Sequence, residues 1–355
     1  MPPADAFSAA RTVIASGLDS RAFPAAVIDV GRQSGPLWQE AFGRRTYAPD
    51  APACRLDTIF DLASLTKVLG TASIAMALVD QNRLALDRSV GAVLPEWRSH
   101  GRDAILIRHL LDHSSGLPAH ARLWEQTRGA GFRDAIRALP LAGPPGAQSV
   151  YSDPGFMLLG FALEEAGGAP LNELFDRLDL GGGEPLRYRP GPDLIARTAP
   201  TENDPWRGRM LQGEVHDENA AALGGVAAHA GLFGTAAAVA SVARLVLRTF
   251  RERTSLGPRE LMRIFASKTG VPGSSRALAW DTMLPTSSCG TRLSPTSIGH
   301  TGFTGTSLWI DHERDLYVVF LTNRVHPTRA NEQLPRLRPL LHDAVVEGLR
   351  QGEQH

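Results

Sequence analysis

Lysine and cysteine are nearly missing from this chain, and so is any excess of charge. Lys+Arg and Asp+Glu both total 37 in 355 residues, a formal net charge of +0. A balanced surface has no field to hold nucleic acid or an anionic membrane, and no run of like charge suggests an interaction tail. The expected partner is a small molecule or a short peptide. Two cysteines, Cys54 and Cys289, exclude a disulfide scaffold and are expected as reduced thiols. The first thirty residues lack a basic start, an unbroken apolar run and a small-residue cleavage site, which gives a cytoplasmic expectation. Apolar runs such as 75–79 fall far short of the ~20 residues a bilayer-spanning helix needs, so no membrane span is expected. No GxSxG occurs, which argues against an α/β-hydrolase elbow, and no glycine-rich phosphate loop appears.

The lysine shortage is the sharpest of these absences. Only Lys67 and Lys268 are present, the remaining basic residues being arginine. Arginine cannot lose its proton at accessible pH, whereas a desolvated lysine can, so a position that keeps lysine is a candidate for proton chemistry.

What is present reads as a globular chain with 43% hydrophobic residues, ample for a core. Residues 6–18 have amphipathic helical spacing, and 24–31 and 36–43 read as a strand pair joined by a glycine-containing turn. Residues 64–80 are apolar and nearly uncharged, as expected of one helix buried on most sides. Helical spacing recurs at 103–113, 131–139, 154–167 and 170–178, while 181–215 looks irregular. A helix at 235–250 precedes a second antiparallel pair, IGHTGFTGTSLWID (298–311) with RDLYVVFLTN (314–323), and a closing helix ends near Arg350. Pro335 and Pro339 blur the start of that helix. The expected fold is therefore α+β, an α/β/α sandwich: a central antiparallel sheet built from both termini, flanked by helices, with a mostly helical insertion. We expect one domain over 1–355, with 1–62 and 231–355 carrying the sheet and 63–230 the helices.

Three short patterns could carry chemistry. Ser64 and Lys67 stand three apart at the start of a helix, where side chains can meet and free N–H groups favour developing negative charge. A serine hydroxyl needs a base, and a buried amine whose charged form is disfavoured can serve. The plain alternative is an N-cap serine with a snorkelling lysine. Tyr151, Ser152 and Asp153 follow a GPPGAQS loop and precede a helix; a phenol beside a cationic lysine can relay protons, though Ser152 or Asp153 would also be an ordinary cap. His300, Thr301 and Gly302 close a strand, where small Gly302 would let substrate lie on the edge and His300 can donate to a carboxylate or shuttle a proton.

In this order the three patterns resemble the SxxK, Y/SxN and K/HTG motifs of the β-lactamase and penicillin-binding-protein superfamily. The resemblance is nearest to class C β-lactamases and their DD-peptidase, amidase and esterase relatives. TIFDLASLTKVL, IRHLLDHSSGLP, YSDPGFMLLG and GHTGFTGTSLWID extend it over most of the chain. It implies a β-lactamase/transpeptidase-like fold and hydrolysis of an ester or amide through an acyl-enzyme, with no metal or organic cofactor. By the same resemblance Ser64 is the nucleophile, Lys67 its base, Tyr151 the proton-transfer phenol and His300 the third-motif residue. Asp153, Thr301, Gly302 and Phe303 would contact substrate, the N–H groups of Ser64 and Phe303 forming an oxyanion hole.

Two departures bear on substrate. Asp153 stands where many relatives carry Asn and cannot donate to a substrate carbonyl, which argues against efficient β-lactam hydrolysis. His300 replaces the commoner Lys and offers no fixed charge at neutral pH. A class C β-lactamase proper and a scaffold that binds peptide or glycan without turnover remain the competing readings. Lys268-Thr269-Gly270 is a literal KTG, but it joins a helical stretch to a Val271-Pro272-Gly273 turn and is set aside. His109 and His113, four apart, could be two metal ligands but lack the Glu of an HExxH helix, so packing or capping is expected. The segment His216 to Asn219, ahead of LGGVAAHAG, either lines the substrate mouth or forms a solvated turn.

Arginine keeps charge but cannot act as a base, so Lys67→Arg is expected to damage turnover nearly as much as Lys67→Ala, while Lys268→Ala leaves it unchanged. Steady-state kinetics of the three variants would overturn the assignment if Lys268 proved the sensitive position.

Overall fold

The computed structural model describes residues 5–98 and 102–352. Its centre is a six-stranded antiparallel sheet made of β1 (Ala25–Arg32), β2 (Gly35–Gly43), β3 (Asp281–Thr282), β4 (Ile298–Thr301), β5 (Ser307–Asp311) and β6 (Leu316–Thr322). The order is β2-β1-β6-β5-β4-β3, so the N-terminal hairpin joins the C-terminal strands through β1 and β6. Ile28 lies opposite Phe320 and Val30 opposite Val318 in that join.

β6 is buried throughout and β1 up to its last residue, Arg32, and their period-two alternation feeds two cores. Ala26, Ile28, Val30, Val318 and Phe320 face α1 (Ser8–Asp19) and the C-terminal helix, which starts at Leu334 and includes Pro339. Val27, Val319 and Leu321 face the other layer, which holds α2 (Ala72–Asp80), α3 (Asp153–Gly167) and α4 (Ala236–Thr249). Each fully buried Leu, Val or Phe contributes roughly 1.5–3 kcal/mol. The sheet is thus enclosed by helices on both faces, as its composition implies. Within the sheet, buried Asp29 accepts from Tyr317 Oη at 2.9 Å and from Gln39 Nε2 at 2.7 Å. Burial pushes its carboxyl above the ordinary range.

Four local readings of the sequence need correction. Residues 64–80 are not one regular helix: a 3₁₀ turn at Ala63–Leu65 leads into a π-helical turn at Lys67–Thr71 and only then into α2. The cause is tertiary, since Thr71 Oγ1 donates to the Ala228 carbonyl at 2.6 Å and the Leu232 N–H donates to Thr66 Oγ1 at 3.1 Å. Such π turns are rare and concentrate at functional positions. The stretch Ala63–Asp80 is apolar enough to cross a membrane by composition, yet 83% of it is buried inside this fold.

Second, residues 298–311 form two strands, because the Gly302 N–H donates to the Thr306 carbonyl at 2.7 Å and Gly305 adopts φ +115. His300 therefore pairs with Leu308 of β5, and RDLYVVFLTN is one strand further away. Third, 181–215 contains short elements, among them Leu186–Tyr188, which joins Phe60–Asp61 and Leu232–Gly234 in a small sheet. Elements of two to four residues are too short to show a period. Fourth, helix within 103–113 is confined to Ile107–Leu111, and His113 adopts φ +62. Cys54 and Cys289 are buried free thiols, pushed by burial up to about 11 and about 12.

Candidate active site

Ser64 lies in a tightly braced turn at the floor of a cleft of about 530 Å³ between the sheet edge and the helical layer. The buried Asp61 carboxylate accepts the Ala63 N–H at 2.9 Å through one oxygen and the His216 N–H at 2.7 Å through the other. This holds Ala63 at φ +47, in the left-handed region that a residue with a Cβ rarely adopts. The opposite wall is fixed to the same turn, as Thr304 Oγ1 donates to the Asp61 carbonyl at 2.7 Å and Thr306 Oγ1 to the Leu62 carbonyl at 3.0 Å. Gly302 fills this contact: a Cβ there would lie 2.1 Å from Thr306 Oγ1 and 2.6 Å from the Leu62 carbonyl oxygen. Its smallness serves the approach of two chain segments, a reason different from the substrate edge expected of it. The bracing sets the Phe303 backbone beside the Ser64 turn, and the Phe303 N–H has no backbone acceptor among the described residues.

The π turn aims Lys67 inward, where it is fully buried. Its amine donates to Ser64 Oγ at 3.1 Å, Asp153 Oδ1 at 2.8 Å and the His229 carbonyl at 3.0 Å. Three acceptors satisfy all three N–H groups of an ammonium. Burial alone would push this amine down, but the adjoining Asp153 charge and the Tyr151 phenol outweigh it and hold the amine above its ordinary value. Asp153 is held far below the carboxylate range: burial opposes its charge, and Lys67 overcomes burial. Tyr151 Oη donates to Ser64 Oγ at 2.8 Å, and burial raises the phenol despite Lys67 nearby. Ser64, Lys67, Tyr151 and Asp153 thus meet, although 86 residues separate Lys67 from Asp153. Ser152, the neighbouring candidate cap, accepts the Gly155 N–H and starts α3.

His300 lines the cleft with its ring 5.9 Å from that of Tyr151. Burial, then Arg276 and Lys67, push its imidazole well below the ordinary value, so it is neutral at neutral pH. Nδ1–H donates to the Thr301 carbonyl at 2.8 Å and buried Nε2 has no partner among the described residues. β3 pairs with Ile298 and Gly299 only, which leaves the His300–Thr301 edge open to the cleft.

His113 does not meet His109 as a ligand pair. Its Nδ1 accepts the Ser152 N–H at 3.0 Å and its ring packs 4.5 Å from that of Tyr151, positioning the phenol. His109 Nδ1 accepts the Leu106 N–H. Lys268 is exposed and borders a different hollow. His216, Asp217 and Glu218 line the cleft, while Asn219 bonds the Trp124 N–H and the Ala121 carbonyl.

Sequence reasoning passed over several groups. His120, exposed at the mouth, contacts Asp153 Oδ2 at 3.1 Å, and that hydrogen bond raises its imidazole. Arg276 stacks over the Tyr151 ring at 5.2 Å, with no carboxylate partner among the described residues. Neither lies in a recognisable motif, because the fold brings them in from distant segments. Only His229 carried a signal, within the glycine-rich LGGVAAHAG.

A family model described as Beta-lactamase matches residues 10–342. A putative D-alanyl-D-alanine carboxypeptidase of Escherichia coli (strain K12) is 30% identical over 316 residues, covering 78% of this chain and 71% of the relative. An N-acetylmuramyl-L-alanine amidase of Bacillus subtilis (strain 168) is 31% identical over 350 residues, covering 86% and 78%. In fold, the chain is similar to a penicillin-binding protein homologue from Caulobacter crescentus, with TM-score 0.77, 18% identity and coverage of 99% and 98%. EstCE1, a hydrolase with promiscuous acyltransferase activity, gives TM-score 0.75 at 20% identity over 96% and 98%.

The Lys67–Asp153 pair fixes the sign of a pH effect. Asp153 raises the amine, so the free base appears only at alkaline pH. Asp153→Asn removes that pull and leaves burial, which lowers the amine. The alkaline rise in kcat/KM is expected to move to lower pH by roughly 1–3 units. A pH–rate profile that does not move would show that Asp153 acts only at the helix end.

Proposed function

The chain belongs to the β-lactamase family, and from that membership we propose a serine hydrolase that cleaves an ester or amide through an acyl-enzyme on Ser64. One observation carries the assignment of residues: Ser64 Oγ receives hydrogen bonds from both Lys67 Nζ and Tyr151 Oη on the floor of the cleft.

In the proposed step the Lys67–Tyr151 pair first loses one proton to solvent; Ser64 Oγ then bonds to the carbonyl carbon as its own proton passes to that pair. That pair shares its protons and titrates as a unit. The carbonyl electrons move to oxygen, where the N–H groups of Ser64 and Phe303 receive them; such a donor supplies about 2.7–4 kcal/mol. Collapse breaks the bond to the leaving group, which takes the proton from the pair. Water then attacks the acyl-enzyme by the reverse relay and frees Ser64. None of these steps requires a metal or organic cofactor.

The cleft also informs the substrate class. Neutral His300 supplies no fixed charge, but beside it Arg276 offers a guanidinium with no carboxylate partner among the described residues, which fits an acyl substrate bearing a carboxylate. The two curated relatives are named as a carboxypeptidase and an amidase, which supports a short peptide or small acyl compound as substrate. Asp153 lacks the donor that an Asn would offer a lactam, which favours activated esters over cephalosporins.

A fluorescent phosphonate is expected to label the wild-type protein and not Ser64→Ala, and short activated esters to be cleaved much faster than a chromogenic cephalosporin. Persistent labelling of Ser64→Ala would sink the residue assignment. A preference for the cephalosporin would instead favour a β-lactamase proper.

A further inference from the structure

The turn between β4 and β5 carries the Phe303 N–H, and two arginines are fastened to its carbonyls. Arg338, on the C-terminal helix, donates from Nη2 to the Thr306 carbonyl at 3.0 Å and to the Gly302 carbonyl at 3.4 Å. Arg324 Nε donates to the Phe303 carbonyl at 2.9 Å. Both side chains reach the wall of the catalytic cleft, yet Arg338 is only 6% and Arg324 8% exposed.

Neither guanidinium has a carboxylate partner among the described residues. Each bonds to backbone carbonyls, Arg324 also to those of Arg329 and Asn331, and the buried Nε of Arg338 has no partner among those residues. Burial and then the neighbouring Arg324 charge weigh against a cation at Arg338. A guanidinium keeps its proton nonetheless. Two like charges held out of water without a counter-ion are destabilising, and a packed apolar side chain would be the more stable filler.

The turn does not need Arg338 to satisfy its backbone. The Thr306 carbonyl already accepts the Gly302 N–H at 2.7 Å, and the Gly302 carbonyl accepts the Gly305 N–H at 3.1 Å. What Arg338 adds is charge at one particular peptide. The Gly302 carbonyl and the Phe303 N–H belong to the same planar amide, and a trans peptide points them in opposite directions. A charged donor on the carbonyl side draws electron density from the amide and strengthens its N–H as a donor on the other.

We propose that Arg338 is a positioning residue of the hydrolase, whose charge, relayed through the Gly302–Phe303 peptide, strengthens the Phe303 N–H toward the oxyanion formed at Ser64. This rests on the hydrolase reading above. Arg338 exchanges no proton; the carbonyl electrons still move to the substrate oxygen, and the polarised N–H stabilises them there. A salt bridge to a substrate carboxylate is the competing use of such a cation, and an uncharged ester removes it from the measurement.

The test compares full-length Arg338→Lys, Arg338→Gln and Arg338→Met in kcat/KM for 4-nitrophenyl butyrate. It also takes the inhibition constant of a neutral alkylboronic acid, whose tetrahedral adduct on Ser64 places an oxygen in the oxyanion hole. Gln keeps a donor for the carbonyls without the charge, and Met keeps only the apolar stem. Both are expected to lose roughly tenfold in kcat/KM, less than the about hundredfold or more lost with an oxyanion donor itself. Boronate binding is expected to weaken by the same factor, and Arg338→Lys to fall between these variants and wild type. Thermal melting checks that each variant is folded, and the Lys and Gln variants alone decide the matter if Arg338→Met is not. An Arg338→Gln variant as fast as wild type or as Arg338→Lys, a boronate constant that stays put while kcat/KM falls, or a loss confined to carboxylate-bearing esters would overturn the proposal. Failure of the hydrolase reading looks different: the wild-type protein then escapes phosphonate labelling, whereas failure here leaves it labelled.

Discussion

The interaction on which the rest of the site depends is the buried pair of Lys67 and Asp153. An ammonium with no exposure is tolerable only where a counter-charge and acceptors replace its water, and removing one partner of such a pair typically costs 3–5 kcal/mol. Each acceptor of Lys67 comes from a different part of the chain: Ser64 from the turn before it, Asp153 from the start of α3, and the His229 carbonyl from the segment that crosses the π turn. Satisfying one amine therefore fixes three segments relative to one another. The same geometry places Tyr151, two residues before Asp153, against the serine.

The pair also sets the chemistry available at rest. A lysine that donates to three acceptors is an acid, so in the proposed mechanism activation of Ser64 begins with proton loss from the Lys67–Tyr151 pair. Burial pushes Lys67 toward the free amine and Asp153 opposes it; the carboxylate wins. His113 and His300, which flank Tyr151, are kept neutral by burial and by the nearby Arg276 and Lys67, so they add no further positive charge. The strained Ala63 turn is braced by Asp61, which in the proposed mechanism pre-sets the backbone N–H groups that receive the oxyanion.

Much of the scaffold was legible in the sequence because it rests on periodic signals. The apolar strand runs at both ends, the helix opened by Ser152 and the long α4 run each carry their own pattern, and they imply a sheet assembled from both termini. The motif residues Ser64, Lys67, Tyr151 and Asp153 could be named because their types and order are informative. What was not legible is what only tertiary contacts create. The π turn exists because Thr66 and Thr71 bond to a segment more than 150 residues away. The break between β4 and β5 depends on Gly302 fitting under the Leu62 carbonyl, for which a glycine in a strand pattern gives only a hint. His120 and Arg276 reach the site from loops with no motif of their own. Burial alone would discharge Lys67, but the opposing pull of Asp153 was legible too, because a carboxylate at the second motif's last position is expected to keep a neighbouring amine protonated, and the structure gives that direction.

The scarcity of lysine gives direct access to the central claim, that Lys67 is held as an ammonium by Asp153. With ¹⁵N introduced at the lysine side chains, the protein has two Nζ signals, and Lys268→Ala identifies the one from Lys67. Titration followed by ¹⁵N NMR then reads the protonation of the buried amine itself. The account predicts that Lys67 stays charged through neutral pH and loses its proton above the ordinary lysine value. A Lys67 signal that already shows a neutral amine at pH 7 would contradict it.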